Sequence, residues 1–200
     1  RGFQETDIVP MAKPVTNYAA RVDDPKENRL YLEKAYAIAV NGNPGPVLLD
    51  LPADVQRAEV DENALEGYSQ ESTCIGEQLL EKQIQFINDK INHSKRPCLL
   101  IGNGVKQAGL KAEIRNLIDR LNIPVVLSMP AFDVLPFGHK LNFGFIGANG
   151  HRYANFVIGK SDLIITLGSR LDLKQVGNNR GQFAPQAQVV RVDIDDGNFS

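Results

Sequence analysis

Apolar positions along the chain fall into two rhythms. Between residues 77 and 92, Leu79, Leu80, Ile84, Ile87 and Ile91 recur three and four positions apart, with charged and amide side chains between them. That spacing puts them on one side of an α-helix and leaves a polar side for water. Leu110, Ile114, Leu117, Ile118 and Leu121 repeat the pattern and predict a helix over 110–121, and a shorter one is predicted over 152–160. Between the helices lie short, largely apolar runs: Pro97-Cys98-Leu99-Leu100-Ile101-Gly102, Pro124-Val125-Val126-Leu127, Leu163-Ile164-Ile165-Thr166-Leu167-Gly168 and Val189-Val190-Arg191-Val192-Asp193-Ile194. Runs without a polar face are strands covered on both sides. Their alternation with helices predicts, over 75–200, an α/β fold: an open parallel sheet with helices on both faces, Rossmann-like and of the NAD/FAD-binding type.

The first part of the chain has its own signals. Asp24-Pro25 is a strong helix start, a cap residue followed by proline at the first helical position. Leu30, Ala35, Ile38 and Ala39 then support a helix over 25–40, closed by Asn41-Gly42. Gly45-Pro46-Val47-Leu48-Leu49-Asp50-Leu51-Pro52 reads as a buried strand that Pro46 can open and Pro52 must stop, because proline offers no ladder donor. Pro10 and Pro14 make residues 8–15 a predicted loop or extended segment. Residues 1–56 are thus expected to be the end of a separate, partial α/β domain. Residues 57–74 are acidic and without a periodic face, and are expected to be a linker.

Charge and composition narrow the partners. A net charge of −2 excludes the basic footprint of a nucleic-acid binder. No apolar run approaches the roughly 20 residues of a membrane helix. Cys74 and Cys98 are too few and too far apart for a disulfide framework or a zinc site, and no metal ligands are expected here. The opening residues lack an apolar signal segment and begin with Arg1, so the chain is expected to be a fragment of a cytoplasmic protein with no membrane partner.

Candidate chemistry gathers just after the strands. Ligands of open parallel sheets bind there. Gly102-Asn103-Gly104 follows one strand and precedes a helix, where glycines let backbone N–H groups approach an anion or simply permit a tight turn. Leu167-Gly168-Ser169-Arg170-Leu171-Asp172 offers an arginine and an aspartate, suited to phosphate and ribose or to a surface ion pair. Asp193 closes the last strand, as a ribose acceptor or as the cap of a turn. His93, His139 and His151 share no ligand spacing. Phe132, Phe137, Phe143 and Phe145 are expected to pack in a core or an interface.

Several segments occur in an order that resembles thiamine-diphosphate (ThDP) enzymes, with the acetolactate synthase large-subunit group most similar. They are Gly2-Phe3-Gln4-Glu5-Thr6-Asp7-Ile8-Val9, Pro14-Val15-Thr16, Gly45-Pro46-Val47 with Asp50-Leu51-Pro52-Ala53-Asp54-Val55, Asp162-Leu163-Ile164-Ile165, and Leu167-Gly168-Ser169-Arg170-Leu171-Asp172. The resemblance implies the end of a pyrimidine-binding domain followed by a central domain. It implies a 2-oxo acid decarboxylase or carboligase, homo-oligomeric as a dimer or tetramer, acting on a small 2-oxo acid. ThDP and Mg²⁺ would be held by motifs outside these residues, leaving the chain alone inactive. Phe3 and Gln4 would be auxiliary catalytic residues beside the substrate. Gly102, Gly104, Ser128, Gly147, Gly168, Arg170, Asp172 and Asp193 would correspond to positions around a structural FAD, or around ADP in other branches. Ala148 and Asn149 depart from the Met-His pair of flavin-binding members, and Lys174 replaces an arginine common there. The alternative is a non-catalytic dinucleotide-binding or oligomer-organising module.

Overall fold

The structure is a computed structural model and describes residues 6–69 and 77–194. It divides into two compact units, Arg1–Cys74 and Ile75–Ser200. Phe3 and Gln4 lie outside the described residues.

The first unit is a β-α-β crossover. Helix α1 (Ile8–Ala12) continues into a 3-10 turn (Lys13–Val15), then strand β1 (Tyr18–Arg21), helix α2 (Asn28–Val40), strand β2 (Val47–Asp50) and helix α3 (Ala53–Arg57). β1 and β2 pair in parallel, Tyr18 opposite Val47 and Arg21 opposite Asp50. Asp24 caps a 3-10 turn over Pro25–Glu27 by accepting from the Lys26 N–H at 2.9 Å, and α2 grows from that turn. Residues 8–15 are helical where an extended segment was expected. The reason is position: Pro10 lies in the first turn of α1, and Pro14 is the second residue of the 3-10 turn, where a missing N–H costs nothing. The expected linker is tied to α2 as far as it is described. The Tyr68 N–H donates to Glu33 at 2.7 Å, and Arg29 reaches the Leu65 carbonyl at 3.4 Å.

The second unit is the predicted open sheet. Its elements are α4 (Glu77–His93), β3 (Pro97–Ile101), α5 (Gly104–Gln107), α6 (Lys111–Leu121), β4 (Val125–Leu127), β5 (Asn142–Phe145), α7 (Arg152–Lys160), β6 (Leu163–Leu167), α8 (Leu173–Val176) and β7 (Gln188–Val192). The strand order is β5-β4-β3-β6-β7, and every pairing is parallel. Strand alternation builds two cores. Leu99, Ile101, Val125, Leu127, Leu163 and Ile165 face Ile114 and Ile118 of α6, with Ile87 and Ile91 of α4 alongside. Cys98, Leu100, Val126 and Ile164 face Ala154 and Ile158 of α7 on the other side.

Asp162 pins the amino edge of this sheet. Its carboxylate accepts from the Ser94 hydroxyl and from the Lys95 and Arg96 N–H groups at 2.9 and 3.0 Å. The Ser94 hydroxyl, then the two amides, hold this carboxyl below the usual range. Burial pushes the Cys98 thiol up to about 12, so it is an inert core group.

Candidate functional site

Because the five strands are parallel, the residues that follow them share one edge. Gly102 follows β3, Ser128 follows β4, Gly147 lies two residues past β5, Gly168 follows β6 and Asp193 follows β7. Gly104, Arg170 and Asp172 sit in the same loops. The fold therefore gathers all eight positions singled out in the second unit at the carboxyl edge of one sheet. The chain steps outward from β3 to β4 on one side and returns beside β3 as β6, so the connection reverses between these two strands, as at ligand-binding crevices of open sheets.

The glycines at this reversal serve close backbone packing. A Cβ on Gly102 would stand 2.0 Å from the Gly168 carbonyl oxygen, and one on Gly168 would stand 2.8 Å from the Gly104 Cα. The Gly102 N–H donates to Leu167 O at 2.8 Å, Gly104 to Gly168 O at 3.0 Å and Gly168 to Val192 O at 2.9 Å. These three donors are used by the chain itself, so an anion must find others.

Arg170 is one. It is exposed, and among the described residues it has no hydrogen bond or ion pair. The next residue, Leu171, holds φ +54°, a left-handed conformation that a leucine adopts only under compulsion. Its side chain packs on the α7-side core, fixing the turn from which Arg170 projects. Asp172 caps α8: one oxygen accepts from the Lys174 and Gln175 N–H groups at 2.8 and 3.2 Å, and the other from the Gln175 side-chain amide at 3.1 Å. Gln175 in turn accepts from the buried Ser169 hydroxyl at 3.0 Å. Ser128 is 2% exposed and its hydroxyl has no protein partner.

Beside these loops lies an open cleft of about 520 Å³, walled by Gly147, Ala148, Asn155 and the 173–178 segment. The Ala148 N–H donates to Lys174 O at 3.1 Å, and a Cβ on Gly147 would meet that oxygen at 2.5 Å. Among the described residues no three His, Cys, Asp or Glu side chains gather as metal ligands would, and no helix is long and apolar enough to cross a membrane.

Comparison with known proteins decides the family. The thiamine pyrophosphate enzyme central domain matches residues 84–200. The acetolactate synthase large subunit of Corynebacterium glutamicum is 36% identical over 198 residues, covering 96% of this chain and 31% of that protein. The isozyme 1 large subunit of Escherichia coli is 33% identical, with 96% and 34% covered. The probable large subunit of Methanocaldococcus jannaschii is 33% identical, with 96% and 33% covered. The chain belongs to the thiamine pyrophosphate enzyme family. It spans about a third of the length of these relatives.

Within this thiamine pyrophosphate enzyme central domain, the groups present suit a phosphate-bearing ligand in a particular way. Arg170 provides an uncommitted fork and Ser128 an unpartnered buried hydroxyl, while the glycine N–H groups and the Asp172 carboxylate are already engaged. Sequence reasoning missed the residues that order the walls. Asn155 holds both backbone groups of Gly147 at 3.0 Å, and His151 holds both of Phe145. Lys106 and Lys111 meet Asp133 at 2.7 and 2.5 Å, and Arg115 donates to Val134 O at 2.6 Å, fastening the segment after β4. Lys106, then Lys111, hold the Asp133 carboxyl far below its usual range. No local motif announces such pairs, because their partners are 6 to 27 positions apart.

Proposed function

We propose that the chain is part of a ThDP-dependent 2-oxo acid decarboxylase or carboligase of the acetolactate synthase type. In this reading residues 75–200 are its structural central domain, and the carboxyl edge of the sheet seats a nucleotide, FAD or ADP. The observation that carries the nucleotide seat is the placement of five strand-end loops along one sheet edge, one of them carrying an exposed, uncommitted Arg170. ThDP, held with Mg²⁺ by other parts of the protein, supplies the electron sink for decarboxylation. The residues of this chain orient and enclose. Arg170 takes a phosphate, Ser128 takes a hydroxyl or ring nitrogen, and the Gly102–Gly168 crossover keeps the two loops at a fixed separation. Phe3 and Gln4 stand beside the 2-oxo acid substrate in this reading, and the working enzyme is a cytoplasmic homo-oligomer.

The test is retention of nucleotide. The purified chain is mixed with FAD or with ADP, desalted, and measured by absorbance and native mass. Retained nucleotide at one per chain, lost in Arg170→Ala, is the expected result. Retention of neither nucleotide overturns the nucleotide seat and leaves residues 75–200 as scaffold.

An oligomer-organising module is the second reading. Exposed Leu79, Leu80, Ile84 and Phe86 along α4 favour it, since such a row is normally covered. Sedimentation that shows only monomer at tens of micromolar would remove it.

A further inference from the structure

The loop from Phe145 to His151 walls the cleft, and one histidine closes it. The His151 N–H donates to Phe145 O at 2.8 Å. The Phe145 N–H donates back to His151 Nδ1 at 3.2 Å. The two rings meet edge to face with centroids 4.6 Å apart. Inside this closure, Asn155 donates to Gly147 O and accepts from the Gly147 N–H, both at 3.0 Å. Gly144 has no side chain because a Cβ would stand 2.5 Å from His151 Nδ1. Five intervening residues are thus held at their ends by one backbone bond and one side-chain bond of His151, and at Gly147 by the Asn155 side chain.

The chemistry of this closure depends on a proton. Nδ1 accepts from Phe145 only when it carries no hydrogen, so the clasp needs a neutral imidazole protonated on Nε2. A protonated ring has donors on both nitrogens. It would turn an N–H toward the Phe145 N–H, and the two donors would repel.

The surroundings give a cation no compensation. His151 caps the amino end of α7, where the helix dipole disfavours positive charge. The ionisable side chains on α7 are Arg152, Tyr153 and Lys160; β4, β5 and β6 carry none; β3 carries only the buried Cys98; and α8 carries Lys174. Among the described residues no carboxylate pairs with His151.

We propose that His151 is a proton-sensitive positioning residue for the cleft: neutral, it clasps the 145–151 loop shut, and protonated, it releases the loop. This rests on the loop geometry and not on the nucleotide reading. The cleft wall is ordered while the ring is neutral and loosens when Nδ1 takes a proton.

The test is amide hydrogen exchange and ¹⁵N NMR of the whole chain between pH 8 and pH 5, with exchange corrected for its intrinsic pH dependence. Protection of the Phe145 and Gly147 amides should fall at least tenfold toward pH 5, while Leu99 and Val126 in the sheet stay protected. The neutral ring should carry its proton on Nε2. His151→Asn, whose Oδ1 can accept at all pH values, should flatten the profile, and His151→Ala should leave the Phe145 amide unprotected throughout. Phe145 protection independent of pH in the wild-type chain, a neutral ring protonated on Nδ1, or a pH dependence that survives in His151→Asn would each overturn the proposal. The wild-type measurements stand by themselves if a variant fails to fold.

Discussion

Replacing Gly102 with alanine sets the crossover packing against ligand approach as the reason for that glycine. The added methyl would stand 2.0 Å from the Gly168 carbonyl oxygen, 2.4 Å from its carbon and 2.6 Å from the Ser169 Cα. All three are backbone atoms, so no side chain can swing away. Relieving the overlap needs a shift of about 1 Å between neighbouring strand ends, in an interior packed as densely as a crystal. Overpacking of this kind costs about 1–3 kcal/mol. The shift also stretches the Gly102–Leu167 and Gly104–Gly168 hydrogen bonds, at about 0.5–1.5 kcal/mol each. The sum, about 2–6 kcal/mol, is a large part of the roughly 5–15 kcal/mol that holds a domain. Gly159→Ala is the control. That glycine lies within α7 with nothing inside 4 Å of the added carbon, so alanine should stabilise by about 0.5–1 kcal/mol. Urea unfolding followed by circular dichroism reads both as shifts of midpoint at constant slope. A Gly102→Ala midpoint at or above wild type would refute the packing argument and return Gly102 to ligand approach.

Other substitutions probe the rest of the account. Leu171→Gly should destabilise less than Leu171→Ala, reversing the usual order, because glycine relieves about 1 kcal/mol of left-handed strain that alanine keeps, as urea midpoints will show. Asp162→Ala should cost about 1–3 kcal/mol through the Ser94, Lys95 and Arg96 donors left behind, measured the same way. Both Asp162 and Asp133 have depressed folded pKa values, so their stabilisation is complete above the unfolded carboxyl value of about 3.9 and is lost as pH falls through the lower folded values. Stability measured from pH 6 down to 2 should therefore decline less steeply in the Asp162→Asn, Asp133→Asn double variant. Arg170→Ala should leave the urea midpoint within about 0.5 kcal/mol of wild type, because its side chain is exposed and unpaired.

The readable parts of the sequence were those where one physical demand dominates. Cys98 to Ile101 and Leu163 to Ile165 are covered on both faces, so they are apolar without interruption and read directly as parallel strands. β1 escaped because Tyr18-Ala19-Ala20-Arg21 is only half buried and has no bulky run. β5 escaped because Gly144, at φ +89°, breaks its strand signal, and its pairing with β4 shifts register. Phe143 and Phe145 were noticed there as packing residues without the strand being seen. At the site, position was legible and commitment was not. The sequence pattern put Gly102, Ser128 and Gly168 after strands, but only the tertiary contacts show that the glycine donors are spent on neighbouring loops. His151 shares no ligand spacing with the other histidines, and its bond to Phe145 becomes visible only once the loop closes.

The most direct test of the central claim is equilibrium titration of the chain, by calorimetry, with FAD, ADP and ThDP–Mg²⁺ in turn. The account predicts that FAD or ADP binds at one per chain, weakened at least tenfold by Arg170→Ala, and that ThDP does not bind. Saturable, Mg²⁺-dependent binding of ThDP to these residues, with neither nucleotide bound, would contradict it.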